Sequence, residues 1–216
     1  MHFERNLYLK EKLYSMIKLD KVMQDFEMAT AQLKETGTCI TIFGSARTQP
    51  SHRHYQDTVA MAKGLAEAGF GIITGGGGGI MEAGNKGAFL GKGTSVGLSI
   101  YLPFETCAND YVDNPVGFNY FFARKVIFVN YSAAFIIAPG GVGTLDEFFE
   151  IFTLMQTGKI KKRPIVLYDA TYWGALLQQL DEMKGYTISA EDMDLVEIID
   201  DPQEVVKYLI AHTTAK

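Results

Sequence analysis

Two cysteines in 216 residues leave nothing from which to build a disulfide framework. Cys39 stands in a β-branched apolar stretch and Cys107 in a loop, with no CxxC pair and no zinc-ligand spacing. Positive charge is also short. The net charge is −5, so no global field draws nucleic acid or anionic lipid, and any nucleotide partner is expected to be small. No apolar run approaches the roughly 20 residues of a membrane-spanning helix. The opening MHFERNLYLKEKLY has no signal-peptide core. The expectation is a cytoplasmic protein with neither nucleic acid nor membrane as partner. Two nucleotide motifs are missing as well. No lysine follows the glycines at Gly75–Gly79 or Gly140–Gly143, so GxxxxGK[ST] is absent. GxGxxG fails too, because its last position falls on Glu82 when started from Gly77 and on Asp146 when started from Gly141. This argues against an ordinary P-loop NTPase or dinucleotide dehydrogenase.

What is present has ordinary globular composition, with 47% hydrophobic and 21% charged residues and neither internal repeat nor low-complexity tract. One domain over residues 1–216 is expected, with residues 1–36 as an N-terminal helical extension. The stretch AAFIIAPGGVGTLDE organises the rest. Ala133–Ala138 is an apolar run too short for a helix, hence a buried strand. Pro139-Gly140-Gly141 breaks it, and a helix is expected from Thr144, carrying Leu145, Phe148, Phe149 and Phe152 on one side. A strand, a glycine turn and a helix start present free backbone N–H groups, which suit a phosphate.

Along the chain, amphipathic helices are expected over Glu4–Ile17 and Asp20–Glu35. Strands at Thr38–Phe43, Phe70–Ile73 and Thr94–Ile100 then alternate with helices at His54–Ala68 and Ile80–Leu90. Tyr101–Phe118 is rich in Pro, Asn and Asp and reads as a long irregular loop. Helix Phe121–Ser132, the central strand, helix Leu145–Gly158, strand Pro164–Tyr168, helix Tyr172–Lys184, strand Val196–Asp200 and a helix from Pro202 complete the chain. This alternation predicts an α/β fold, a Rossmann-like parallel sheet sandwiched between helices. Ligands in such sheets bind beyond the carboxyl ends of the strands. Three of those ends carry glycine turns, at Gly44-Ser45, Gly75–Gly79 and Gly140–Thr144. One or two glycines satisfy a tight strand-to-helix crossing; five in a row favour close approach of a ligand.

Glu147 supports two readings. Thr144-Leu145-Asp146-Glu147 fits a capping box, with Thr144 as N-cap and Glu147 folded back on it. Alternatively, a carboxylate beside a phosphate-binding turn can contact a sugar or orient water, with the helix dipole keeping it ionised. Arg124-Lys125 is a cationic pair in an otherwise apolar helix, FFARKVIFVNY. It is either a surface ion pair or charge complementarity for a nucleotide monophosphate.

The segments GGGGGIMEAGNKGA, LPFE, FFARK and PGGVGTLDEFFEIFTLMQTGK together resemble the Lonely Guy family. Its members are cytokinin riboside 5′-monophosphate phosphoribohydrolases, formerly labelled lysine decarboxylases, and several also act on AMP. The similarity runs from about Thr38 to Leu167. It implies a Rossmann-like homodimer or larger homo-oligomer that acts on a small nucleotide monophosphate and needs neither metal nor organic cofactor. It makes Arg124 and Glu147 the catalytic pair. It places Lys125 and the turn Gly140, Gly141, Val142, Gly143 and Thr144 on phosphate and ribose, and Glu105 on the substrate. Ser45, Gly79, Met81 and Thr153 are implied to line the same pocket. Asp146 stands where many plant members have Glu, and the helices before Gly37 match nothing in the compact plant form.

The implied reaction is hydrolysis of the N-glycosidic bond of a purine ribonucleoside 5′-monophosphate. The competing reading is a non-catalytic module that binds a nucleotide or molybdenum cofactor, since the glycine turns would serve it equally well. A scaffold with a vestigial pocket has only the apolar helix in its favour. A pyridoxal-phosphate decarboxylase is set aside, because Lys86 and Lys92 lie in a Gly-rich polar context without the required site. Lys159, Lys161, Lys162 and Arg163 read as cations at a helix C-terminus. His52 and His54 read as polar surface at a helix start. The Phe148, Phe149, Phe152, Met155 face reads as core, part of it available to a second subunit.

Overall fold

The computed structural model describes residues 17–101 and 108–214. The first expected helix, Glu105 and Cys107 lie outside the described residues. The elements, in order, are α1 (Leu19–Leu33), β1 (Cys39–Phe43), α2 (Arg53–Glu67), β2 (Gly71–Thr74), α3 (Ile80–Leu90), β3 (Ser95–Ile100) and β4 (Asn114–Phe118). They continue with α4 (Phe121–Tyr131), β5 (Ser132–Ile137), α5 (Val142–Gln156), β6 (Ile165–Tyr168), α6 (Ala170–Met183), β7 (Val196–Ile199) and α7 (Pro202–His212).

The seven strands form a single parallel sheet in the order β4-β3-β2-β1-β5-β6-β7. β1 and β2 are buried along their whole length and β5 almost so, because helices cover both faces. That is why these strands read as continuous apolar runs without alternation. Successive side chains still go to opposite faces. Phe43, Phe135 and Ile137 join one cluster with Leu33, Phe128, Phe148 and Trp173. Ile40, Ile42 and Ile136 join the other with Met61, Leu65, Ile80 and Leu209. The first cluster lies under α1, α4, α5 and α6, and the second under α2, α3 and α7.

One strand departs from the expectation. Asn114–Phe118, read above as the end of an irregular segment, is β4, paired with β3 in the register Leu98 to Val116. Val116 and Phe118 are buried. Pro115 lacks a ladder donor and Gly117 has no side chain to pack, so the composition resembles a loop. Both are tolerated because β4 is an edge strand.

Candidate functional site

The chain leaves β1 in one direction through β2, β3 and β4, then returns to place β5, β6 and β7 on the other side of β1. The carboxyl ends of β1 and β5 therefore flank the switch point where open α/β sheets bind ligands. Backbone bonds lace the turns there. The Ser45 N–H donates to Pro139 O at 3.0 Å, and the Ile80 N–H donates to Ser45 O at 2.9 Å. That second bond sets the role of Gly79. It sits at φ +64°, and a Cβ there would stand 2.3 Å from Ser45 O, so its glycine is required by the crossing of two main chains. Ser45 is part of this crossing, with its hydroxyl accepting the Arg47 N–H at 3.1 Å.

The turn after β5 is built differently. α5 starts at Val142, two residues before the expected Thr144, with Gly141 as N-cap and no side-chain cap. The capping box does not form. Thr144 is instead a buried residue of the first helical turn packed under Gly140, where a Cβ would come within 2.2 Å of its hydroxyl oxygen. Tyr172 steadies the same turn by donating to Gly140 O at 2.7 Å. A Cβ on Gly141 or Gly143 would meet nothing within 4 Å, and neither residue has positive φ. Among the described residues nothing requires glycine at these two positions, which leaves the turn open on that side. The first N–H groups of α5 lack intrahelical acceptors and point out of this end of the helix.

A cavity of about 350 Å³ lies at the carboxyl ends of β2 and β3, and neither Ser45, Gly79, the Gly140–Thr144 turn nor Glu147 lines it. Gly75, Gly76 and Gly77 line it together with Met81, Ser99, Ile100, Tyr101, Pro115 and Val116, most of them apolar. Arg124 reaches this cavity from α4. The glycine wall is held from behind. Asn109 donates its side-chain amide to Gly76 O at 3.1 Å, Gly77 O at 2.9 Å and Asn85 Oδ1 at 2.9 Å. Asn85 is buried and tied to Thr74 and Ser95, at 2.6 and 3.0 Å.

Arg124 and Glu147 meet. Arg124 Nη2 stands 3.3 Å from Glu147 Oε1, and their side chains are only 12% and 15% exposed. Phe121 and Phe128 rings lie 5.1 and 5.6 Å from the guanidinium carbon and bracket it. Burial pushes the Glu147 carboxyl up to about 7, with Asp146 and Glu150 adding to the rise and Arg124 and Lys125 opposing it. The sequence reading had the helix dipole keep this group ionised, but loss of water at the site outweighs the dipole. Phe43, Phe128, Val129 and Ile151 help line a crevice of about 10 Å³ at Glu147, room for about one water.

The remaining candidates divide. Met81 lies over Gly75 and Gly77, its sulfur 2.6 Å from where a Gly75 Cβ would be, and lines the cavity. Lys125 goes elsewhere: its Nζ lies 3.1 Å from Asp146 Oδ1 and also pairs with Glu150. Thr153 is exposed, six residues or roughly 9 Å along the helix from Glu147, and does not line the cavity. Nor is His54 bland surface. It is 15% exposed with Nε2 2.7 Å from Asp169 Oδ2, and Arg53 reaches the same oxygen at 2.7 Å. The sequence reading missed Ser99 and Tyr172; for the base slot it pointed to the segment Tyr101–Phe118, which supplies Tyr101, Pro115 and Val116 to the cavity and Asn109 behind the glycine wall, without singling these residues out. Ser99 ends a recognised strand, and position alone could have found it.

The fold is Rossmann-like, with a candidate site at the carboxyl ends of its parallel strands. A family model described as possible lysine decarboxylase matches residues 81–209. The chain belongs to this family, which is the Lonely Guy family. It is 27% identical over 155 residues, 70% of this chain and 78% of the relative, to a cytokinin riboside 5′-monophosphate phosphoribohydrolase of Rhodococcoides fascians. A protein of the same description from Mycobacterium tuberculosis is 34% identical over 128 residues, 58% of this chain and 67% of that protein. The solved molybdenum cofactor binding protein of Rippkaea orientalis superposes with TM-score 0.61 at 21% identity, covering 82% of this chain and 98% of that one. At that identity the likeness is one of fold.

Proposed function

We propose that this protein hydrolyses the N-glycosidic bond of a purine ribonucleoside 5′-monophosphate, AMP or its N6-substituted cytokinin counterpart, to free base and ribose 5-phosphate. The observation that carries this reading is the buried Arg124–Glu147 pair, its carboxyl pushed up to about 7, with Arg124 lining a cavity of about 350 Å³ and Glu147 on the helix that starts at the uncapped glycine turn.

The 5′-phosphate sits on the N–H groups of the Gly140–Thr144 turn, and the base enters the cavity lined by Met81, Ile100 and Val116. As the C1′–N bond breaks, its electron pair leaves with the base and C1′ gains oxocarbenium character. Ionised Glu147 faces that positive charge, as carboxylates do in glycosidases. A water oxygen bonds to C1′ and its proton passes to Glu147, which gives it up through solvent to the departing base, so that the base leaves neutral and the carboxylate is restored. Arg124 fixes the sugar phosphate and keeps Glu147 aimed. Binding of the phosphate positions the reacting carbon. The apolar walls at Ile100, Pro115 and Val116 suit an N6-alkyl substituent. We further propose that the chain works as a homodimer or larger homo-oligomer, which light scattering tests.

Incubating the purified chain with AMP and resolving the products by chromatography should give adenine and ribose 5-phosphate. Glu147→Gln should lower turnover by about 10²–10⁴-fold, the usual worth of a positioned acid–base group. Unchanged turnover in that variant would overturn the assignment of Glu147. The second reading, a binding module, draws on the fold shared with the molybdenum cofactor binding protein. AMP recovered bound but intact would favour it.

A further inference from the structure

On α5, Asp146 and Glu150 stand four residues apart, one helical turn, with Glu147 between them. Like charges at this spacing repel, and both carboxylates also disfavour the ionised form of Glu147. A single group answers both of them. Lys125 Nζ lies 3.1 Å from Asp146 Oδ1 and also contacts Glu150. Its side chain is 20% exposed, and burial alone would lower its pKa; Glu150 and Asp146 outweigh that and hold it above the ordinary lysine value.

Lys125 is the chain neighbour of Arg124, yet the two side chains do different work. Successive residues on a helix are rotated by about 100°, so the two side chains leave α4 in different directions. Arg124 takes the cavity and Glu147. Lys125 takes the outer acids of α5 and lines the crevice at Glu147, not the cavity. The groups facing Glu147 are thus Arg124 and Lys125 from α4 and Asp146 and Glu150 from its own helix.

We propose that Lys125 is a positioning residue that acts through Asp146 and Glu150, neutralising the charges on either side of Glu147 and docking α5 on α4 so that Glu147 meets Arg124. The proposal rests on the hydrolase reading above. It differs from the phosphate-contact role that the family resemblance implies for Lys125, because an ammonium engaged by two carboxylates is not presented to a ligand.

The test is a pH profile of kcat/KM on AMP for Lys125→Met, Lys125→Arg, and Lys125→Met combined with Asp146→Asn and Glu150→Gln. Removing the lysine leaves two uncompensated carboxylates and raises the pKa of Glu147. The acid limb should therefore move up by roughly one pH unit, a loss of about 5–10-fold at pH 7 that is recovered near pH 9. Lys125→Arg should behave like wild type, since a guanidinium bridges two carboxylates. The triple variant should return the limb to its wild-type position. A rise in KM independent of pH, unrelieved by the two amide substitutions, would overturn the proposal in favour of a phosphate contact.

If Lys125→Met does not fold, Asp146→Asn with Glu150→Gln in the native background serves instead. That double variant should move the acid limb down, and an unmoved limb refutes the proposal. A ¹³C titration of the Glu147 carboxyl reads the same shift without turnover. Wild type that frees no base from AMP would remove the hydrolase reading, while the titration would still decide what Lys125 does.

Discussion

A carboxyl whose folded pKa stands near 7 opposes folding at the pH where it works. The ordinary glutamate value is about 4.3, so the folded chain holds a proton there that the unfolded chain has released. The sign follows from linkage. The contribution of this group is fully favourable below the unfolded pKa and is lost as pH rises from about 4.5 through about 7. Glu147→Gln, an uncharged isostere, should therefore match wild type in denaturant stability at pH 4.5. Near pH 8 it should exceed wild type by on the order of 3 kcal/mol, while being the least active variant. Equal stability at both pH values would mean that Glu147 is better hydrated than its 15% exposure implies. Much at this scale was legible in the sequence. Arg124 and Glu147 were singled out as residues 23 positions apart, and the fold brings them to 3.3 Å. The destination of Lys125 was not legible, because charge type says nothing about which way a helix is rotated. Within the basic run after α5, Arg163 shows the same limit. Arg163 does meet a helix C-terminus, but that of α4, where it donates to Val129 O and Ser132 O.

Elements were located well where a period or a breaker marks them. Ile80–Leu90 stands between the residues expected for it, because glycine turns bound it on both sides. α5 was placed too late, since Thr144 offered a familiar capping pattern that tertiary packing overrides. The glycines of the two main turns also divide in a way that sequence cannot reveal. Gly79 serves the crossing of main chains, whereas Gly141 and Gly143 face open space. Ala at Gly141 or Gly143 should leave the melting temperature within a few degrees of wild type, since a cap or first-turn Gly→Ala change is worth only a few tenths of a kcal/mol to about 1 kcal/mol. The same changes should raise KM for AMP about tenfold or more if the turn carries the phosphate, as one lost charge-assisted hydrogen bond would. Gly79→Ala should fail at the level of folding, because its Cβ would collide with the Ser45 carbonyl. A thermal melt beside a saturation curve separates the two kinds of glycine.

For the whole molecule, the parallel α/β class followed from strands alternating with helices, and the seven-stranded order from nothing local. β4 escaped notice because an edge position relaxes the composition a strand must have. Net charge was legible outright. At −5, and with Arg53, Arg124 and Lys125 each paired to carboxylates so that Arg47 is left as an exposed cation after β1, the sheet edge offers little to a polyanion. A fluorescent single-stranded oligonucleotide at about 0.15 M salt should show no rise in anisotropy with micromolar protein, and salt-dependent binding would contradict this.

The strand order also constrains how the molecule is made. β1 is completed only when β5 arrives, nearly a hundred residues later, with β2, β3 and β4 already on its other side. Until Ile137 has left the ribosome, the nascent chain carries half a sheet whose innermost strand, Cys39–Phe43, presents bare amides and carbonyls along an apolar ribbon. Such an edge is sticky. Translation pauses or premature stops within α4 would yield fragments that clump, and chaperone demand during synthesis should peak in that same interval.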